Sequence, residues 1–255
     1  MAASESTESF EAAAHRALRV LARKAIGWSG ADIERMVREA RQKARREKRS
    51  LTYEDLAFRI SGGKPGKSPL LRRRIAVHEA GHVVTRLYLG LGTITRITID
   101  AAEGGGYIMG NVGENEQTEE FLTAALVTTL SGRAAEEVII GSVTSSSGGS
   151  ERSDLAMATD LALEMETVLG FGKTYPLLYR PIKNSDAILA MDSELSSRVS
   201  VRLDTAYAAA VTIIKAQKTA LDFLAKALFE EETLEGPELV TVLGEVRQRM
   251  VQTDG

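Results

Sequence analysis

The stretch that most constrains this chain is His78-Glu79-Ala80-Gly81-His82, inside the run RRIAVHEAGHVVTRLYLG. Apolar residues flank it, no proline interrupts it, and the pattern predicts a helix from about Leu70 to Tyr88. On a helix, two histidines four apart share one face and can grip a single metal ion. With Glu79 beside them they form the H-E-x-x-H arrangement of a zinc peptidase. Of the three histidines in the chain, two stand here; His15 has no such company and reads as an exposed helix residue. Gly81 costs a helix roughly 1 kcal/mol against alanine, which argues for a close-packing need.

A catalytic zinc takes three protein ligands and leaves its fourth position to water. His78 and His82 supply two, and Glu79 is placed to take a proton from that water and later deliver it to the leaving amine. Spacing leaves the third ligand open among Glu136, Glu137, Glu151, Asp154 and Asp160. Asp154 begins a predicted helix, where the positive dipole end favours an ionised carboxylate. The same place also suits an ordinary capping acid.

Around this helix the pattern is mainly α with a small β-sheet. The run FEAAAHRALRVLARKAI is strongly helical, with Leu18, Leu21 and Ile26 among its apolar positions, and follows an acidic, serine-rich leader over residues 1–8 that reads as disordered. Ser29 with Asp32, and Thr52 with Asp55, are capping signals for two more helices. Ile33, Met36, Val37 and Ala40 recur on one side of the first of these. Residues 61–69, SGGKPGKSP, have linker composition, so the expected division is a helical module over 1–63, a linker over 64–69 and a second domain over 70–255. Downstream, residues 93–99 and 107–109 read as short strands around a flexible Gly104-Gly105-Gly106. Helices are predicted after Thr118, through 132–140, from Ser153-Asp154 to Gly170, and over 192–228 with a break near 216–218. Pro237 suits the first position of a closing helix, and residues 171–190 read as irregular.

Several function classes fall away. There is no cysteine, so disulfides and thiolate metal sites are excluded. No apolar run approaches the ~18–20 residues that span a bilayer, and the N-terminus lacks the features of a signal peptide, so a soluble, cytoplasmic chain is expected. Gly66-Lys67-Ser68 imitates the end of a P-loop, but Ser61 stands where its first glycine belongs and Pro69 follows, which rules out nucleotide binding there. The net charge of −3 argues neither way about nucleic acid. The basic run over residues 41–49 lacks interleaved aromatics and reads as a solvated helix end, so no nucleic-acid partner is expected.

Several motifs together resemble the FtsH-type AAA zinc metalloproteases over nearly the whole chain from about residue 10. HEAGH has that family's glycine before the second histidine, GRAAEEVIIG is similar to its GRAAEE segment, and SERSDLAMATDLA to its S-N-D-x-x-x-A-T stretch. Ser153 stands where asparagine is usual, which leaves the following carboxylate in place. The resemblance implies that Asp154 is the third zinc ligand. It also makes Glu136 and Glu137 candidates to orient a ligating imidazole, and Gly106 and Tyr107 part of a strand beside the cleft whose edge takes extended substrate. GWSGADIERMVREARQKA resembles the start of the family's ATPase lid, without a Walker A loop, Walker B strand or arginine finger. The implied chain is thus a lid-like module followed by a helical zinc peptidase domain, an endopeptidase for unfolded or flexible proteins in a homo-hexamer. It would bind one Zn2+, and would use ATP only if the missing ATPase subdomain is supplied. A membrane would be met only through segments absent from this sequence, at the cytoplasmic face of a bacterial inner membrane. The alternative is a catalytically idle module that helps assemble or regulate a protease ring.

Overall fold

A computed structural model describes residues 14–15, 17–63, 66–100, 105–111, 116–182 and 185–251. The leader over 1–8, the start of the first predicted helix, Gly104 and part of the predicted linker lie outside the described residues. The chain divides into two compact units, Met1–Leu71 and Arg72–Gly255.

The first unit is helical: α1 over 17–24, α2 (Gly30–Arg46) and α3 (Tyr53–Ile60). Both predicted capping boxes form. Ser29 accepts from the Asp32 backbone while the Asp32 carboxylate accepts from Ser29, and Thr52 and Asp55 repeat the exchange. These caps satisfy helix N–H groups that would otherwise have no partner, each worth about 1 kcal/mol. The apolar contribution is small: Val20, Leu21, Ala25, Met36, Ala40 and Ala44 are buried. Ile33 departs from the pattern. It sits in the first turn of α2 and stays exposed, because the buried stripe steps by fours through Met36, Ala40 and Ala44.

The second unit carries the core. After α4 (Pro69–Tyr88) come β1 (Thr93–Thr98), β2 (Tyr107–Asn111), α5 (Glu119–Ala135), α6 (Asp154–Thr167), α7 (Ser185–Met191), α8 (Ser193–Ala216), α9 (Lys218–Glu231), β3 (Thr233–Glu235) and α10 (Gly236–Arg249). The predicted break near 216–218 is real. Gln217 separates α8 from α9, and its buried side-chain amide both donates to and accepts from the Val251 backbone. Besides the unforeseen strand β3, two elements depart from the sequence pattern. Residues 185–191 are helical within the stretch read as irregular, and residues 136–140 close α5 with a π-helical turn that Gly141 ends at φ +80°.

The sheet has the order β2-β1-β3, antiparallel throughout, with an irregularity in the β1–β2 register between Ile94 and Arg96. β2 is therefore an edge strand among the described residues. Leu126, Leu163, Leu195, Ile214, Leu221, Leu224, Leu228 and Leu234 fill the interior, each contributing ~1.5–3 kcal/mol by leaving water. Across one side of that core α5 packs on both α6 and α8. The Glu166 carboxylate of α6, itself buried, receives Arg198 at 3.0 Å and Arg202 at 2.5 Å from α8. No described helix is long and apolar enough to cross a membrane.

Helix α4 meets α5 closely at Gly81. A Cβ there would stand 2.6 Å from both the Ala135 Cβ and the Ser131 carbonyl oxygen. Neither neighbour can swing aside, which gives the predicted close-packing need its cause. Gly81→Ala is expected to lower stability by about 1–3 kcal/mol despite alanine's better helix propensity. Urea unfolding followed by circular dichroism measures it; an unchanged midpoint would contradict this packing.

Candidate metal centre

Helix α4 turns His78 and His82 to one face, and what fixes their rings lies on α5 and just beyond it. The His82 Nδ1 sits 2.8 Å from the Thr128 carbonyl oxygen. A carbonyl only accepts, so Nδ1 carries the hydrogen and the neutral ring offers its lone pair at Nε2. The His78 Nδ1 donates to Glu136 Oε1 at 3.0 Å, which likewise leaves Nε2 as the free lone pair. The two Nε2 atoms then face each other at 3.1 Å.

Asp154 completes the group. Ser153 caps α6, its hydroxyl accepting from the Ala156 backbone, so Asp154 occupies the first helical position. Its Oδ2 lies 3.0 Å from His78 Nε2 and 3.5 Å from His82 Nε2. Burial works against this carboxylate, but the imidazoles of His78 and His82 outweigh it and hold the acid below the usual carboxylate range. Among the described residues, these three form the group of histidine and acidic side chains able to hold a metal ion.

The donor set fits zinc. Tetrahedral nitrogen and oxygen donors ~2.0–2.1 Å from one ion stand ~3.3–3.4 Å from each other. The observed triangle has sides of 3.0, 3.1 and 3.5 Å. Three acceptor atoms that close repel one another unless a cation or a proton sits among them. Gly132 of α5 leaves the room they need, since a Cβ there would lie 2.5 Å from both Nε2 atoms.

The candidates near this triangle separate. Glu136 is fully buried and holds His78, while its Oε2 accepts from Arg74 at 2.8 Å and from the Thr144 N–H at 3.0 Å. Glu137 does not reach the site: it is exposed and accepts from the Tyr207 hydroxyl, because consecutive side chains on a helix point about 100° apart. Glu151 and Asp160, weighed as ligands from spacing, are exposed and outside the group. Glu79 is 6% exposed, and burial pushes its carboxyl above the usual glutamate range against the pull of His82 and His78. A Cβ on Gly106 would lie 2.5 Å from Glu79 Oε1, so the chain entering β2 rests on that carboxylate. Tyr107 follows on the edge strand, half exposed.

Three participants escaped the sequence reading: the Thr128 carbonyl, Gly132 and Arg74. Nothing in a carbonyl's residue type marks it as a partner for histidine. Gly132 did stand in a quoted motif, and a glycine inside a helical run is itself a packing signal.

Two outcomes test this geometry. Gly132→Ala should abolish stoichiometric zinc uptake in equilibrium dialysis while the helical circular dichroism spectrum persists. In the metal-free chain, burial opposes the His78 imidazolium, but Asp154 and Glu136 outweigh it and push its pKa up to about 10. Zinc uptake near neutral pH should therefore release a proton, with apparent affinity falling as the pH is lowered. Calorimetry in buffers of unlike ionisation enthalpy reads that proton, and a buffer-independent heat would count against the protonated His78.

The sequence pattern of Peptidase family M41 matches residues 67–242. The chain is also similar to proteins named ATP-dependent zinc metalloprotease FtsH. That of Neorickettsia risticii is 35% identical over 88% of this chain and 37% of its own length. Those of Trieres chinensis and Thermotoga maritima are 31% and 30% identical, over 88% and 92% of this chain and 38% and 42% of theirs. The chain thus spans about two-fifths of the length of these relatives. The family match covers the helix with both histidines, the helix that orients them and the loop that ends at Asp154, and the chain belongs to Peptidase family M41.

Proposed function

We propose that this chain is a zinc-dependent endopeptidase module in which His78, His82 and Asp154 hold the metal and Glu79 moves the proton. The observation that carries this reading is the convergence of two Nε2 lone pairs and one carboxylate oxygen within 3.5 Å, beside a buried glutamate. Bound zinc supplies Lewis acidity, polarising a scissile carbonyl and acidifying water. Glu79 takes the proton from the attacking water at its carboxylate and returns it to the departing amine. A carboxyl pushed up by burial suits the first of these steps, since its carboxylate is a stronger base towards the water than an ordinary glutamate. Glu136 and the Thr128 carbonyl keep the two imidazoles aimed.

The substrate we propose is an extended, unfolded polypeptide segment. β2 is an edge strand among the described residues, and Gly106 brings the start of that strand onto Glu79. A peptide adding as a further strand would be held by main-chain bonds that read little sequence and would pass the proton-moving carboxylate. Tyr107 and Met109, exposed on alternate positions of β2, would meet its side chains.

The relatives' names make them ATP-dependent, and this chain matches only part of their length. We therefore place it as the peptidase portion of an ATP-dependent protease, with residues 1–63 as an ATPase-lid-like module before a linker over 64–69. A homo-hexamer and membrane attachment through other segments belong to the same proposal.

Casein cleavage by the full chain should stop on chelation, return with added zinc, and fall by about 10²–10⁴-fold in Glu79→Gln with zinc still bound. Cleavage that survives chelation, or full activity in Glu79→Gln, would overturn the reading. A chain with no zinc and no cleavage would instead favour the idle assembly module.

A further inference from the structure

Arg72, Arg73 and Arg74 open the second unit, and they go to different places. Arg72 donates to the Phe229 carbonyl and pairs with Glu232 at 3.0 Å, and Arg73 is exposed. Arg74 turns inward, its side chain only 16% exposed. It stands one helical turn before His78, on the same face of α4. Its Nη1 donates to Glu136 Oε2 at 2.8 Å and to the Ser142 carbonyl at 2.7 Å, and its Nη2 donates to Ser142 Oγ at 3.0 Å.

These bonds divide the Glu136 carboxylate. Oε2 takes Arg74 and the Thr144 N–H, the latter at 3.0 Å, while the Thr144 hydroxyl lies 3.0 Å from Oε2 and 3.3 Å from Oε1. Oε1 faces His78 Nδ1. A glutamate side chain left to itself rotates freely about its last torsion. With Oε2 held by Arg74 and the Thr144 N–H, the carboxylate plane is set, and with it the tilt of the His78 ring. The same guanidinium also straps Ser142, at the start of the segment that ends in Asp154, to the helix that carries both histidines. One side chain thus acts on a ring donor through Glu136 and on the carboxylate donor through the loop.

We infer that Arg74 is a positioning residue for the metal centre, setting zinc affinity and donor geometry through Glu136 and Ser142 without touching the ion. This rests on the zinc reading above. A planar fork can serve two acceptors in fixed directions, which a lysine ammonium cannot. Loss of such an outer hydrogen-bond partner typically weakens metal binding 10–100-fold.

The test measures zinc affinity by chelator competition, and the visible absorption of the cobalt-substituted protein, for the full chain and for Arg74→Met and Arg74→Lys. Arg74→Met should bind zinc at least tenfold more weakly with a shifted cobalt spectrum. Arg74→Lys, the variant to read if Arg74→Met does not fold, should be at least threefold weaker than the parent. A buried ion pair with only a structural role would lower the melting temperature and leave both readouts alone. Arg74→Met within twofold of the parent with the same cobalt spectrum, or Arg74→Lys equal to the parent, overturns the inference. A parent chain that takes up no zinc is a separate result and removes the zinc reading itself.

Discussion

The second unit depends on the close crossing of α4 over α5. Gly81 lets the two backbones approach until an added Cβ would touch the Ser131 carbonyl, and Gly132 clears the volume beneath both imidazoles. At that separation the Thr128 carbonyl meets His82 and Glu136, at the end of α5, meets His78. The two glycines do opposite jobs at one contact. One brings the helices together; the other keeps them from filling the space the donors need. A helix pair packed through larger side chains would stand further apart. It would then lose both ring partners together.

Electrostatics at this crossing is arranged in layers. Nε2 lone pairs and the Asp154 carboxylate converge on one point, and hydrogen-bond donors and acceptors behind them fix direction. Behind Glu136 stands Arg74, and behind Asp154 stand the Ser153 cap and the first turn of α6. Glu136 and Asp154, both taken from water, have partners, which keeps their burial from costing several kcal/mol each. The sheet contributes on the other side. Its edge strand begins on Glu79, so the carboxylate and a row of backbone groups share one neighbourhood.

Much of this was legible in the residues. The spacing of His78 and His82 placed them on one helical face, and the Ser29, Thr52 and Thr118 caps and the break at Gln217 were readable from local chemistry. These features depend on residues within one or two turns of each other. Helix α7 and strand β3 were not legible. The three residues of β3 carry no period, and they become a strand only because β1 presents an open edge to them. Glu136 and Glu137 looked equivalent in sequence; the packing of neighbouring elements buries one against His78 and leaves the other to Tyr207.

The sequence by itself determined a helix with two imidazoles and a carboxylate in i, i+1, i+4 register, and membership of a peptidase family. Spacing left the third donor open among several acids, since a contact across 76 positions leaves no trace in it, and only the resemblance of the SERSD segment named Asp154. Tertiary structure brought the Asp154 carboxylate within 3.5 Å of both Nε2 atoms. It also decided which ring nitrogen faces the site, because a tautomer follows from the partner of the other nitrogen, and both partners come from a different helix or the turn that ends it.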